Sequence, residues 1–251
     1  MVSDCQQKAL ANPQSIRVWQ GFRSVSLAEN RPRFCAQLGE IFIPATVQQM
    51  TPLGLQAYFP LILPESGFSL PDELALVVYP DLDTYFSASR KSVAGRAYGA
   101  LHSTVFNFSS GGEIPRSRSD FPQLWQGELP GNDPVYIFDR EVDWHQGNLR
   151  CLVVQGDISA TVVAAVVNDW QKQVSPDNSN AILQLEPGYL LCWEYSCGEE
   201  ASLSDQLTDA LTASVITDTR SVRVIAEPLF SIPDQGVEPE TGVLMDVRLK
   251  D

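Results

Sequence analysis

Three short segments, "ALVVY" (Ala75–Tyr79), "CLVV" (Cys151–Val154) and "YLLCW" (Tyr189–Trp193), are apolar at both parities. A strand with water on one side alternates apolar and polar residues, because successive side chains point to opposite faces. These segments do not alternate, so both faces of their sheets must be covered. Helices supply one cover. The economical second cover is a sheet from the other half of the chain, packed face to face. At about 25 cal/mol per Å² of apolar surface, leaving two such faces in water costs tens of kcal/mol. A second copy of the chain would also serve, so a monomer and a homodimer are both open.

The order of elements says what kind of sheet this is. Ile16–Val25 reads as a strand. A helix follows from Ser26, which starts the capping-box pattern "SLAE" with Glu29, carries Phe34, Leu38 and Phe42 at helical spacing, and is expected to end at Pro44. Gly54–Pro64 is a strand, with Pro60 marking an edge or a bulge, and Glu73–Pro80 is a second. From Asp81 to Phe106 the apolar stripe Leu82, Phe86, Val93, Ala97, Leu101 and Val105 predicts one long helix or two short ones. Val135–Trp144 is expected as the last strand. The result is β-α-β-β-α-β, the ferredoxin-like unit. Between the last helix and that strand, residues 107–134 are rich in Gly, Pro and Ser and predict a long loop with few buried contacts.

The second half repeats the order. Leu149–Gly156 is a strand, Ser159–Val174 a helix, Ala181–Ser196 a hairpin about Glu186-Pro187-Gly188, Leu203–Ser214 a helix and Ser221–Phe230 a strand; "VLMDVRL" in the tail suggests one further edge strand. The expected fold class is therefore α+β: tandem ferredoxin-like halves, residues 1–146 and 147–251, whose antiparallel sheets pack as an α+β barrel.

Charge and cysteine content narrow the partners. With 251 residues, 44% of them hydrophobic, the chain can bury a substantial core without staples. A net charge of −14 argues against nucleic acid or an anionic membrane as a partner, since both need a basic footprint. The five cysteines are odd in number and scattered, which fits a reducing cytoplasm better than a disulfide framework. The start "MVSDCQQKALANPQ" lacks a basic stretch followed by an apolar run, so no signal peptide is expected, and no apolar run approaches a membrane span.

Two ferredoxin-like units packed sheet to sheet resemble the dimeric α+β barrel superfamily, which includes antibiotic-biosynthesis monooxygenase-like and EthD-like domains. "ALVVYPDLDTYFSASRKSVAGRAYGALHSTVF" is similar to the third strand, turn and second helix of those domains. The resemblance implies a small molecule, often aromatic, bound between sheet and helices. Members differ in chemistry: some oxidise or cyclise the ligand without a cofactor, some bind haem and some have no known activity.

Candidate chemistry centres on the two histidines. On a helix, His102 shares a face with Tyr98, whose hydroxyl is placed to orient the imidazole; this suits a general base or a haem ligand. A histidine packed at the helix border is the alternative. In "DREVDWHQGN", Asp143 and His145 share a strand face while Trp144 points away, an arrangement for acid–base work; a polar strand end is the alternative. Arg116 and Arg118 in the long loop are candidates to clamp a carboxylate or phosphate, with a solvated loop as the alternative. Trp19, Tyr58, Tyr79 and Trp193 are candidate walls of a cavity, or fillers of a solid core. No metal site is expected, and no cofactor is implied by any motif. Two functions follow. One is a small-molecule-binding protein, acting without a cofactor on an apolar or aromatic metabolite if it is an enzyme. The other is a non-catalytic accessory protein of the same fold that meets a protein partner.

Overall fold

The computed structural model describes residues 15–63, 65–142, 148–212 and 220–225. They form an α+β protein with two sheets, one of four strands and one of six, in which most neighbours are antiparallel. Backbone packing divides the described residues into two compact units, 15–119 and 120–225. The expected boundary at Gly147 lies outside the described residues.

In the first unit, β1 (Ser15–Gly21) leads into a helical run: α1 (Arg31–Gln37), a wide π-turn (Leu38–Phe42) and α2 (Ile43–Met50). Asn30 caps α1, its side chain accepting from the Arg33 amide at 3.0 Å. The helix therefore starts later than the Ser26 capping box predicts, and Val25–Leu27 is only a short 3₁₀ turn. Pro44 does not end the run either. It sits in the first turn of α2, directly after the π-turn, where its missing N–H costs little. The strands β2 (Ala57–Ile62) and β3 (Glu73–Tyr79) follow. Next come α3 (Leu82–Phe86), a second π-turn (Ser87–Lys91) and α4 (Val93–Val105). Two helices form in this stretch because Ser92 is extended; its hydroxyl then caps α4 by accepting from the Gly95 amide at 2.8 Å.

The strand that completes the first sheet is β4 (Arg118–Asp120), giving the order β2-β3-β1-β4. This corrects the expectation that Val135–Trp144 plays that part. Of those residues only Val135–Tyr136 forms a strand among the described ones, and it joins the second sheet beside β8. Residues 107–134 are likewise not a loosely held loop. Asn107 and Ser117 are buried and tie the segment to the end of β1: the Ser117 hydroxyl accepts from the Phe22 amide (2.9 Å) and donates to the Phe22 carbonyl (3.1 Å), and the Asn107 side chain donates to the Ile114 carbonyl (2.9 Å). Local polar side chains thus take up backbone groups that composition alone leaves unassigned.

In the second unit, β5 (Gln123–Leu124) and β6 (Val135–Tyr136) precede β7 (Asn148–Gln155), α5 (Ala160–Trp170), β8 (Ser179–Glu186), β9 (Tyr189–Ser196), α6 (Leu203–Thr212) and β10 (Arg220–Ile225). The sheet order is β10-β7-β9-β8-β6-β5. Its run β8-β9-β7-β10 repeats, position for position, the order β2-β3-β1-β4 of the first sheet. The predicted hairpin forms, with Glu186 opposite Tyr189 and Gly188 at φ 93° closing the two-residue turn. The expected edge strand in the tail lies outside the described residues.

The helix side of the second sheet has a closely buried centre. Leu152, Val154, Ala181, Leu183, Leu190 and Cys192 meet Val163, Val167, Trp170, Leu203 and Leu207, and none of these is more than 2% exposed. Glu194 ends this layer as a buried cap for α6. It accepts from the amides of Leu203 (2.6 Å) and Ser204 (2.9 Å) and from the Ser202 hydroxyl (3.1 Å). Replacing Glu194 with Ala strands these buried donors and is expected to cost about 2–4 kcal/mol. Urea melts of the two proteins check this, and a loss below about 1 kcal/mol contradicts the capping role.

Candidate functional site

The helix side of the first sheet is built differently. On β1, Ile16, Val18 and Gln20 are buried on one face, while Arg17 and Trp19 on the other are partly exposed. On β2, Ala57, Phe59 and Leu61 are buried while Tyr58 and Ile62 are partly exposed, and on β3 Val77 is partly exposed between buried Leu76 and Val78. Trp19, Tyr58 and Ile62 pack with Phe34, Phe42 and Ile43 of the helical run and with Tyr98 and Leu101 of α4. These residues lie beneath helices and still keep accessible surface, so this layer is not closed.

Its polar groups are few and firmly held. Glu73, at the first position of β3, has no solvent exposure. Its carboxyl accepts from Trp19 Nε1 and from the Tyr58 hydroxyl, each at 2.8 Å. Burial pushes the Glu73 pKa up to about 7, against the opposing pull of the Tyr58 and Trp19 bonds. Opposite Glu73 in the register stands Gly21. A Cβ there would lie 2.5 Å from the Phe106 ring and 2.8 Å from Trp19 Nε1, so glycine is what lets the indole reach the carboxyl.

His102 lies on α4 among aromatic rings. Tyr98, Phe42 and Trp19 have centroids 4.4, 4.7 and 5.7 Å from the imidazole, all edge-on, and Phe106 and Phe108 are both 6.3 Å away. Its Nδ1 is 2.9 Å from the Tyr98 carbonyl oxygen. A carbonyl only accepts, so Nδ1 carries the proton and Nε2 the lone pair. Nε2 has no hydrogen-bond partner among the described residues. Burial lowers the His102 pKa to about 4; the bond to Tyr98 opposes this and the Arg17 charge adds to it, so the ring is neutral at pH 7. The Tyr98 hydroxyl does not orient the imidazole as expected. It is 2.7 Å from Thr46 Oγ1, which donates to the Phe42 carbonyl at 2.8 Å, and Tyr98's main chain does the orienting instead.

Of the residues singled out from the sequence, Trp19, Tyr58, Tyr98 and His102 come together here. Tyr79 lies on the same face of β3, buried against Tyr85 at 5.4 Å. Arg116 is exposed and makes no hydrogen bond or ion pair among the described residues. Trp193 is fully buried in the other unit. Asp143, Trp144 and His145 lie outside the described residues. Glu73 and Arg17 were not singled out. The available signal was parity: both share a strand face with aromatic residues. Among the described residues no group of three or more His, Cys, Asp or Glu side chains is placed to hold a metal ion, and no helix is long and apolar enough to cross a membrane.

No protein-family profile and no curated protein matches the chain. Solved structures with a partly similar course include two proteins described as "putative monooxygenase". The one from Lactobacillus acidophilus NCFM has 8% identity and a TM-score of 0.41, over 84% of this chain and 94% of that one. The one from Fusobacterium nucleatum has 8% identity and a TM-score of 0.43, over 91% and 95%. A mutant chlorite dismutase from Candidatus Nitrospira defluvii has 12% identity and a TM-score of 0.33, over 96% and 99%. At this level of overlap none of them assigns a role to a residue of this chain.

The two perturbed groups make opposite contributions to stability. Folded Glu73 keeps its proton up to about pH 7, whereas the unfolded chain loses it near 4.5, so this contribution falls as pH rises through that window. Folded His102 stays neutral down to about pH 4, whereas the unfolded ring protonates near 6.5, so this contribution rises with pH between those values. Each is worth up to about 3 kcal/mol. Glu73→Gln is expected to leave a stability that climbs more steeply with pH between 4.5 and 6.5 than the wild type's, and His102→Phe one that falls relative to it. Urea melts at three pH values test this; parallel profiles for all three proteins would refute both assignments.

Proposed function

We propose that the unit formed by residues 15–119 binds an apolar or aromatic small molecule between the Trp19–Tyr58 face of its sheet and the helices α2 and α4. What carries the proposal is the contrast between two layers of the same strand order. In the second unit the central strand residues and the helix residues that meet them are at most 2% exposed, with partly exposed side chains such as Phe138 and Leu185 packed against them, whereas in the first Trp19, Tyr58, Val77, Tyr98 and His102 all keep accessible surface. In this reading the chain is a tandem of ferredoxin-like halves, one keeping a packed core and the other holding the ligand. A site walled by aromatic rings with a few fixed polar groups is the usual form of a small-molecule pocket.

His102 supplies the specific contact. Its tautomer is fixed through Tyr98, so Nε2 accepts a hydrogen bond from an O–H or N–H of the ligand. With its pKa near 4 the neutral ring polarises such a bond and does not take the proton. If the site is catalytic, the group that changes charge near neutrality is Glu73, reached through the Tyr58 hydroxyl.

Two histidines give two imidazole resonances in a histidine-labelled sample. Titration with 2-naphthol is expected to shift one of them saturably, and the shifting line should be absent from His102→Phe. That variant is expected to keep its fold, since phenyl replaces imidazole in an aromatic setting, and to bind up to about tenfold more weakly for want of one hydrogen bond. Binding that leaves the His102 line unmoved, or no binding by any neutral aromatic probe, would overturn the proposal and favour the accessory-protein function.

A further inference from the structure

We infer that Phe108 governs entry to this site and the size of ligand that it admits. The inference rests on the binding site proposed above and adds its access and selectivity. Trp19 belongs to β1 and His102 to α4, so the gap between these two rings is the gap between the sheet and the helix that wall the site. The Phe108 ring bridges it, with its centroid 6.1 Å from that of Trp19 and 6.3 Å from that of His102. Such separations are those of aromatic rings in contact. Of the rings around His102, Phe42 and Phe106 are buried and Trp19 and Tyr98 partly so; Phe108, 37% exposed, is the most open to water. A ring that touches both walls and also faces water lies where the layer opens to solvent.

The chain around Phe108 has fastened ends and a free middle. Asn107 is buried; its amide donates to the Phe22 carbonyl (2.8 Å), its carbonyl accepts from the Ser117 amide (2.7 Å), and its side chain donates to the carbonyls of Ile114 (2.9 Å) and Pro115 (3.2 Å). Residues 108–113 therefore leave and rejoin the fold at one point, beside the end of β1. All of them are exposed. Ser109 bonds back to Asn107, and among the described residues Phe108, Ser110, Gly111, Gly112 and Glu113 make no hydrogen bond. The ring contacts of Phe108 are then what hold it, and a segment with exposed backbone and few buried contacts opens at low cost.

With the ring in place, the mouth between Trp19 and His102 is filled. A ligand enters when the ring swings out, which is how loops admit molecules to enclosed sites. A ligand longer than the space behind the ring meets it as a clash, and an obstacle of this kind discriminates without any contact specific to the preferred ligand. There is room for the outward step. Gly111 stands at φ 87°, and a Cβ on Gly111 or Gly112 would meet nothing within 4 Å.

The test follows the His102 resonance with 2-naphthol and with the larger 1-hydroxypyrene, both neutral hydrogen-bond donors. Line shapes across each titration give the rate constants of association and dissociation. Phe108→Ala is expected to raise both for 2-naphthol about tenfold, while the affinity changes less than about threefold. It should also bind 1-hydroxypyrene about tenfold or more tightly than wild type does. Phe108→Leu should fall between the two, and it decides if the alanine variant does not fold. A ring that only completes the core would cost stability in urea melts and leave the rates and the size preference unmoved. If either the rate constants or the size preference of the variants match those of wild type, the inference is overturned and the aromatic site stands. If neither probe moves the His102 line in any of the three proteins, site and gate fall together.

Discussion

A carboxyl group that has lost all contact with water must find donors inside the protein, and Glu73 finds two. Trp19 comes from β1 and Tyr58 from β2, so one buried acid ties the helix-facing side of three strands together. The bond to Trp19 is possible because Gly21 presents no side chain between the indole and the strand. It also sets where the indole stands, edge-on to His102 and Phe106. The aromatic wall of the candidate site is thus organised around a polar contact, and its angle to α4 follows from that contact.

The helix that carries His102 depends on a second local device. Ser92 breaks the helical run and caps α4. In its last turn, His102 donates a hydrogen bond from Nδ1 to the Tyr98 carbonyl. A polar ring is thereby satisfied on one side only, in surroundings too apolar for it to charge. The second unit shows what the same strand order gives without such groups. There Val163, Val167 and Trp170 of α5 are fully buried against the sheet, and its acid, Glu194, is spent on capping a helix.

The strands were the most legible part of the sequence. β1, β3, β7, the β8–β9 hairpin and helices α5 and α6 could all be read from apolar runs, turn residues and periodicity, because their stability comes from burial of their own side chains. The strand β4 could not. "RSD" has no apolar pattern, and it pairs at the sheet edge because Ser117 and Asn107 pin the preceding segment to Phe22. Pro44 misled for a related reason: a proline ends a regular helix, but here it follows a π-turn that has already given up the regular spacing of hydrogen bonds.

The sequence by itself determined the α+β class, the order of the principal elements and the presence of His102 on the same helix face as Tyr98. These follow from side-chain spacing along the chain, which is a local property. Only the tertiary structure decided which polar atoms are left over. That His102 is oriented by a main-chain carbonyl and that the buried carboxyl of Glu73 receives Trp19 and Tyr58 both depend on strand register and on helix packing. Register brings together residues more than 50 positions apart, as with Trp19 and Glu73, and no spacing along the chain encodes which of two equally apolar strands a given side chain will face.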